Sequence, residues 1–169
     1  MRSRAPGARG YNRRYRMPAN AMSEANPYDP FMLDHIKNAR NYRVLDAASH
    51  RAAGVNPLCG DELNVYASIV NDRIEDVGFQ CSCCGISMAS TSVMTETVKS
   101  RSVDETRSAV RTFLAALAGE AADMGRLSAP QRALLDAVRA LPTRRKCAAL
   151  GWLTLVAALD GRTDAVSTD

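Results

Sequence analysis

Five cysteines, and one carboxylate set close to one of them, are the side chains whose types and spacing could do chemistry here. Cys59 and Asp61 stand two positions apart in Asn56-Pro-Leu-Cys-Gly-Asp61, separated only by Gly60. Glycine reaches backbone angles closed to other residues, and Pro57 fixes φ just before the thiol. The thiol and the carboxylate can therefore be turned toward one point, where they make half of a tetrahedral zinc site. The other half must come from later in the chain. Cys81, Cys83 and Cys84 form a cluster there, and Cys147 stands alone.

The elements that position these groups follow from period and punctuation. Asp29 is a natural N-cap with Pro30 at the first helical position. Phe31, Met32, Leu33 and Ile36 supply the apolar face of that helix, which runs out over residues 38–42. Residues 61–70 alternate, with Leu63, Val65, Ala67 and Ile69 on one face, which predicts a half-buried strand. Asn71-Asp72 is a turn, and residues 73–79 form a second strand, so the pair reads as a hairpin. A third strand, needed for independent stability, is expected near Val44-Leu45 or just before Cys84.

From Gly85 the period becomes helical, with Ile86, Ala89, Ser90, Val93, Met94, Thr97 and Val98 on one face. Ser102-Val-Asp-Glu105 and Ser128-Ala-Pro-Gln131 read as capping boxes that open two more helices. The first turns Val103, Val110, Phe113, Leu114 and Leu117 inward and closes near Gly119. The second carries Leu134, Leu135, Val138 and Leu141 inward. Residues 120–127 between them read as a loop or short turn, and Pro142 breaks the chain again. A last helix covers about residues 144–159, with Trp152, Leu155, Val156 and Leu159 on its apolar face and Cys147 in its first turn. The expected fold class is α+β, a small antiparallel β-sheet packed against several α-helices. With aromatics at 5%, the core is expected to be built from Leu, Val, Ile, Ala and Met.

Cys84 therefore sits at a helix N-terminus, where free amide donors and the helix dipole favour an anionic sulfur. Cys59, Asp61, Cys84 and Cys147 together offer three sulfurs and one oxygen. Zinc fits such a set, and so does one edge of an iron–sulfur cluster. The carboxylate is a harder and more labile ligand than a thiolate, so it could leave to admit sulfur or iron. Cys59 would then be free as a nucleophile toward a persulfide donor, with zinc holding the thiolate deprotonated until needed. Taken alone, Cys147 reads as a buried small hydrophobe. Cys81-Ser-Cys-Cys84 alone reads as a reactive thiol loop or a Cys-x-x-Cys redox pair. A thioredoxin-like reading needs a βαβ unit, and the flanks here are a hairpin and a helix. His35 and His50 have no second ligand at helical or turn spacing and read as packing or surface residues.

Composition bounds the rest. The 169 residues suit one domain with a tail. Six of the 22 Lys and Arg residues fall in residues 1–22, which hold no acid, so 16 remain against 18 Asp and Glu. The body is near neutral, which argues against a nucleic-acid-binding face. No run of about 18 apolar residues exists to span a membrane. Residues 1–25 show no apolar period and read as a disordered basic leader. They are Arg-rich like a mitochondrial presequence but lack its amphipathic period, which favours a dispensable tail or a true start at Met17 or Met22. Residues 26–160 form the domain and residues 161–169 a frayed tail. Closely clustered cysteines without a signal peptide suit a cytoplasmic protein, with organellar import by the leader left open.

Asn56-Pro-Leu-Cys-Gly-Asp61 resembles the Asn-Pro-x-Cys-Gly-Asp signature of the NifU/IscU-like iron–sulfur cluster assembly proteins. Cys84-Gly-Ile-Ser-Met-Ala-Ser90, with Met94-Thr95 and Val98-Lys99, resembles their second-cysteine helix. His35-Ile-Lys-Asn-Ala-Arg-Asn41 is similar to the family's opening motif, with Ala39 in place of a proline. Arg144-Arg-Lys-Cys147 followed by Ala148-Ala-Leu-Gly-Trp152 resembles the third-cysteine motif. Lys146 stands where the family's scaffold branch has histidine, and the segment between the second and third cysteines is long, as in the SufU branch. The resemblance implies a zinc-dependent sulfurtransferase that accepts persulfide sulfur from a SufS-type cysteine desulfurase, acting as its partner rather than as a stand-alone enzyme. Downstream iron–sulfur assembly proteins would take the sulfur. It implies zinc on Cys59, Asp61, Cys84 and Cys147, sulfur acceptance on Cys59, and a desulfurase contact at Arg144. The alternative is a scaffold that assembles a [2Fe–2S] cluster on the same cysteines. Glycine usually precedes the family's second cysteine; here Cys83 does, so Cys81 or Cys83 could compete with Cys84 for metal or ease oxidation.

Overall fold

The computed structural model describes residues 28–169, and the basic leader lies outside the described residues. Helix α1, Pro30–Lys37, is capped as expected: the Asp29 carboxylate accepts from Met32 N at 2.8 Å. Three strands follow, β1 His50–Asn56, β2 Asp61–Val70 and β3 Arg73–Ser82. Asn71 and Asp72 both take positive φ, 49° and 61°, the pair required by a tight type I′ hairpin turn. The sheet order is β3-β2-β1-β4, antiparallel except for β4, Val166–Ser167, which pairs parallel with β1.

Two expectations shift here. The third strand is β1, ahead of Cys59, and not Val44-Leu45, which lies in a loop where Leu45 is buried and Val44 exposed. The stretch just before Cys84 is the end of β3, longer by three residues than the alternation suggested. The segment expected to fray carries β4, because Val55 O accepts from Thr168 N at 3.2 Å.

Helix α2, Gly85–Val98, is the centre of the fold. Its period predicts one buried face, yet only Gly85, Met88 and Glu96 escape burial. Its small hydroxyl residues make this possible. Thr91, Thr95 and Thr97 return their hydroxyls to helix carbonyls at 2.7–2.9 Å, and buried polar groups must be paired in this way. Ser90 Oγ accepts from Trp152 Nε1 at 2.9 Å and donates to Ala148 O. Around α2 pack α1, α3 Val103–Ala118, α4 Ala129–Arg139 and α5 Arg145–Leu159. Ser102 and Ser128 form the two capping boxes, and Gly119 closes α3 at φ 79°. Short 3-10 turns, Met124–Arg126 and Pro142–Arg144, lead into α4 and α5. The aromatics are few but central: Phe113 and Trp152 stack with centroids 4.2 Å apart, and Phe79 is fully buried.

Close backbone approach fixes α5. A Cβ at Gly151 would meet the Thr91 hydroxyl and lie 3.0 Å from Thr91 Cβ, and one at Gly54 would meet the Thr154 hydroxyl. Gly151→Ala gains about 1 kcal/mol of helix propensity but overpacks a rigid contact, which costs roughly 1–3 kcal/mol. A net loss is expected, seen as a lower Tm; an equal or higher Tm would show that α2 and α5 can separate freely.

His35 is the buried histidine, 3% exposed and packed between α1 and α2. Its Nδ1 lies 2.8 Å from Ser92 Oγ, which also accepts from Arg40 N. Burial, then the Arg40 charge, push its pKa below the ordinary value, against the opposing pull of Glu96 and Asp34. Unfolding therefore takes up a proton that the native ring refuses. This histidine's contribution is intact above about pH 6.5 and declines as pH falls below it. His35→Gln should flatten the stability–pH curve in that window, as read by urea unfolding at pH 7.5 and pH 5.5.

Candidate metal centre

Three chain segments meet at one end of the sheet. The turn joining β1 to β2 carries Cys59, half-buried, with Gly60 at φ 69°. β2 begins at Asp61, 1% exposed, and in phase with its inward face of Leu63, Val65 and Ala67. α5 brings in Cys147, fully buried, two residues into the helix from Arg145. The sulfurs of Cys59 and Cys147 are 3.1 Å apart. The donor atoms of Cys59, Asp61 and Cys147 all lie within 4.8 Å of one another.

Cys84 stands beside this cluster. It is the N-cap of α2, and its Sγ accepts from Ser87 N at 3.5 Å. The same Sγ is 3.9 Å from Asp61 Oδ2, so it faces the carboxylate that the cluster shares. Asp61 is held by the start of that helix: Oδ1 accepts from Cys84 N at 2.8 Å, and Oδ2 from Ser87 Oγ at 2.9 Å. A carboxylate at a helix N-terminus is favoured by its free N–H groups.

Two residues of this arrangement had not been singled out in the sequence. Ser87 has the Asp61 bond, and its Oγ also lies 3.0 Å from Cys147 O. Asn56, wholly buried at the end of β1, directs Nδ2 to Cys147 Sγ at 3.3 Å and to Asp61 Oδ2 at 3.4 Å. Its Oδ1 has no partner among the described residues. Burial pushes the Cys147 thiol well above its ordinary pKa, and the neighbouring Cys59, Cys84 and Asp61 add to the effect. The Cys147 thiol is directed toward Cys59 Sγ at 3.1 Å.

Arg144 and the remaining cysteines complete the surroundings. Arg144, exposed, donates Nη1 to Cys59 Sγ at 3.4 Å. Cys81 and Cys83 are joined to each other by a disulfide, which takes both out of competition with Cys84. Neither histidine approaches the cluster: His35 serves α1–α2 packing, and His50 pairs with Ser49.

The donor set suits zinc. Zinc–sulfur bonds of about 2.3 Å and zinc–oxygen bonds of about 2.0–2.2 Å place tetrahedral ligands roughly 3.3–3.8 Å apart. The spacings found among Cys59, Asp61 and Cys147 bracket that range, and Cys84, with Sγ 3.9 Å from Asp61 Oδ2, would be the fourth donor.

Sequence comparison matches residues 27–148 to the NifU-like N terminal domain. The chain belongs to that family. A zinc-dependent sulfurtransferase SufU of Bacillus subtilis (strain 168) is 33% identical over 132 residues, covering 76% of this chain and 86% of its own. An iron–sulfur cluster assembly scaffold protein IscU of Thermotoga maritima is 32% identical over 132 residues, covering 78% and 92%. Among solved structures, a putative iron–sulfur cluster assembly scaffold protein for the SUF system from Fervidobacterium islandicum AW-1 superposes with a TM-score of 0.73 at 32% identity. It covers 79% of this chain and 96% of its own. The N-terminal part of a NifU-like protein from Brucella abortus, at 22% identity and TM-score 0.69, shares the fold. The NifU-like resemblance seen in the three cysteine motifs is thus borne out, and so is the α+β fold.

Asn56 reaches both a sulfur and the carboxylate, the position of a residue that orients ligands from behind. Asn56→Ala is expected to weaken zinc binding by about 10–100-fold, measured by chelator competition on protein whose circular dichroism is unchanged. Equal affinity would leave the amide with a purely structural role.

Proposed function

We propose that this protein, an iron–sulfur cluster assembly protein by family, relays sulfur: Cys59 accepts persulfide sulfur from a SufS-type cysteine desulfurase at a zinc site formed with Asp61, Cys84 and Cys147. The observation that carries this reading is the unequal exposure of the cluster. Cys147 and Asp61 are buried, whereas Cys59 is half-exposed on a turn beside Leu58, which is 72% exposed. Cys59, on the turn, is open to a partner; Cys84, also half-buried, is held as the cap of α2, and Cys147 and Asp61 are buried behind them.

Zinc, when bound, keeps the sulfurs as thiolates, the form that attacks sulfur. The protein's own residues do the rest. The Cys59 sulfur attacks the outer sulfur of the donor persulfide; that bond forms, the donor's sulfur–sulfur bond breaks, and the donor cysteine leaves as thiolate. Arg144, at 3.4 Å from Cys59 Sγ, offers a donor to the anionic outer sulfur and a cation at the rim for the partner. Gly60 leaves open space where a Cβ would lie, so the turn beside Cys59 is uncrowded on that side. Ser87 and the α2 N-terminus hold Asp61 meanwhile.

Lys146, the residue before Cys147, favours this reading over a scaffold that builds a [2Fe–2S] cluster. Its Nζ pairs with Asp169 Oδ1 at 3.0 Å, and an ammonium group offers no lone pair to a metal, so it adds no ligand. No helix among the described residues is long and apolar enough to cross a membrane.

A SufS-type desulfurase, assayed without added iron, is expected to turn over faster with the zinc-loaded chain. Cys59→Ala should remove that stimulation and the persulfide seen by mass spectrometry; persulfide at undiminished rate would place the acceptor elsewhere. Chelation should also lower the Tm, because a ligand bound only by the native state adds to its stability. Absence of stimulation, with a reconstituted cluster that passes to an apo-ferredoxin, would support the scaffold.

A further inference from the structure

Cys81 and Cys83 are the two cysteines that the sulfur relay leaves unused. They are bonded to each other, with Cα atoms 5.5 Å apart. Cys59, Cys84 and Cys147 stay free, although the Cys59 and Cys147 sulfurs are only 3.1 Å apart. Pairing is therefore selective for Cys81 and Cys83. The fold does not require it. Cys81 is already held by its ladder pairing with Leu63, and the Tyr42 hydroxyl lies 3.0 Å from its carbonyl and 3.4 Å from its N–H. A bond between residues two apart closes a very short loop, where restraint of the unfolded chain is least.

Position suggests chemistry instead. Cys83 directly precedes Cys84, whose N–H is fixed on Asp61, so the pair is built onto the edge of the cluster. Ser82, between the two, lies opposite Glu62, the neighbour of Asp61. Both cysteines are partly exposed and open to an external thiol. The chemistry available to such a pair matches a need of the relay. Persulfide carries its outer sulfur in the zero oxidation state, whereas an iron–sulfur cluster contains sulfide. Release requires two electrons, the number a dithiol yields on becoming a disulfide.

We propose that Cys81 and Cys83 form a second redox site, an internal reductant that releases sulfide from the persulfide on Cys59; this rests on the sulfur-relay reading above. Cys83, the direct chain neighbour of Cys84, attacks the outer sulfur of the Cys59 persulfide. A bond from Cys83 to that sulfur forms, the Cys59 sulfur–sulfur bond breaks, and Cys59 leaves as thiolate. Cys81 then attacks Cys83 Sγ. The Cys81–Cys83 bond forms, the bond to the outer sulfur breaks, and hydrosulfide leaves. The outer sulfur has gained two electrons, two thiols have become one disulfide, and the thiol protons go to Cys59 and the hydrosulfide. A dithiol reductant, protein or small molecule, reopens the disulfide for the next cycle.

The test uses a desulfurase carrying its own persulfide, freed of cysteine, mixed in equal amount with the reduced, zinc-loaded full chain and no small thiol. About one sulfide per persulfide transferred is expected, with peptide mapping finding the new disulfide at Cys81–Cys83. In the double variant Cys81→Ser/Cys83→Ser, persulfide should remain on Cys59 and sulfide fall at least about tenfold. In Cys81→Ser alone, persulfide should collect on Cys83. Three results overturn the proposal: equal sulfide from the double variant, persulfide retained on Cys59 with Cys81 and Cys83 still reduced, or a disulfide mapped to Cys59–Cys147. If Cys59 never gains persulfide from the desulfurase, the relay reading fails. Chain loaded on Cys59 with inorganic polysulfide then decides the redox site by the same three readings.

Discussion

The buried Asp61 carboxylate is the constraint on which this structure turns. Taking a charged group out of water costs several kcal/mol unless hydrogen bonds replace the lost hydration. Here the replacements are the Cys84 N–H and Ser87 hydroxyl at the start of α2 and the Asn56 amide of β1, and the same amide reaches the Cys147 sulfur of α5. None of these elements can shift without exposing an unpaired polar group. Satisfying one carboxylate therefore aligns a strand end, a helix N-terminus and a second helix, and the thiols follow because they sit on the same segments.

Small residues make that convergence possible. Ala52, Gly54 and Asn56 are the inward residues of β1, and Gly54 and Gly151 bring α5 against the strand and against α2. A larger side chain at either glycine would move the helix that carries Cys147. The hydroxyl-rich α2 plays the matching part on the other side. It is thin enough to be surrounded, and it satisfies its own polar groups. Close packing of this kind leaves the donors in fixed places before any ligand arrives, which lowers the ordering that binding must impose.

Much of this was legible in the residues. Caps at Asp29, Ser102 and Ser128, and the Asn71-Asp72 turn, follow local rules that tertiary context did not override. The cysteine motifs named the family because three of them occur in order. β1 was missed because Ala-Ala-Gly has little strand propensity; its alternation shows only in burial, where α5 demands small side chains. With β1 unseen, Asn56 looked like part of a loop. Asp61 carried a readable signal, since it falls in phase with Leu63, Val65 and Ala67. Ser87 carried none, because a serine one turn into a helix looks the same whether it faces solvent or a carboxylate. The pairing of Cys81 with Cys83, while Cys84 faces Asp61 from the cap of α2, carried no signal in the Cys-Ser-Cys-Cys spacing.

Cys59 and Cys147 touch although 88 positions separate them along the chain. Proteins are made from the N-terminus onward, at a rate that lets early segments form contacts before late ones exist. A growing chain of this protein thus presents Cys59, Asp61, Cys81, Cys83 and Cys84 to the cell well before α5 emerges. The donor set available at birth is not the donor set of the finished molecule. Only the arrival of the last helix turns a loose group of thiols into a defined centre, so selection of the right ion is left to the end of folding, when the geometry exists to make it.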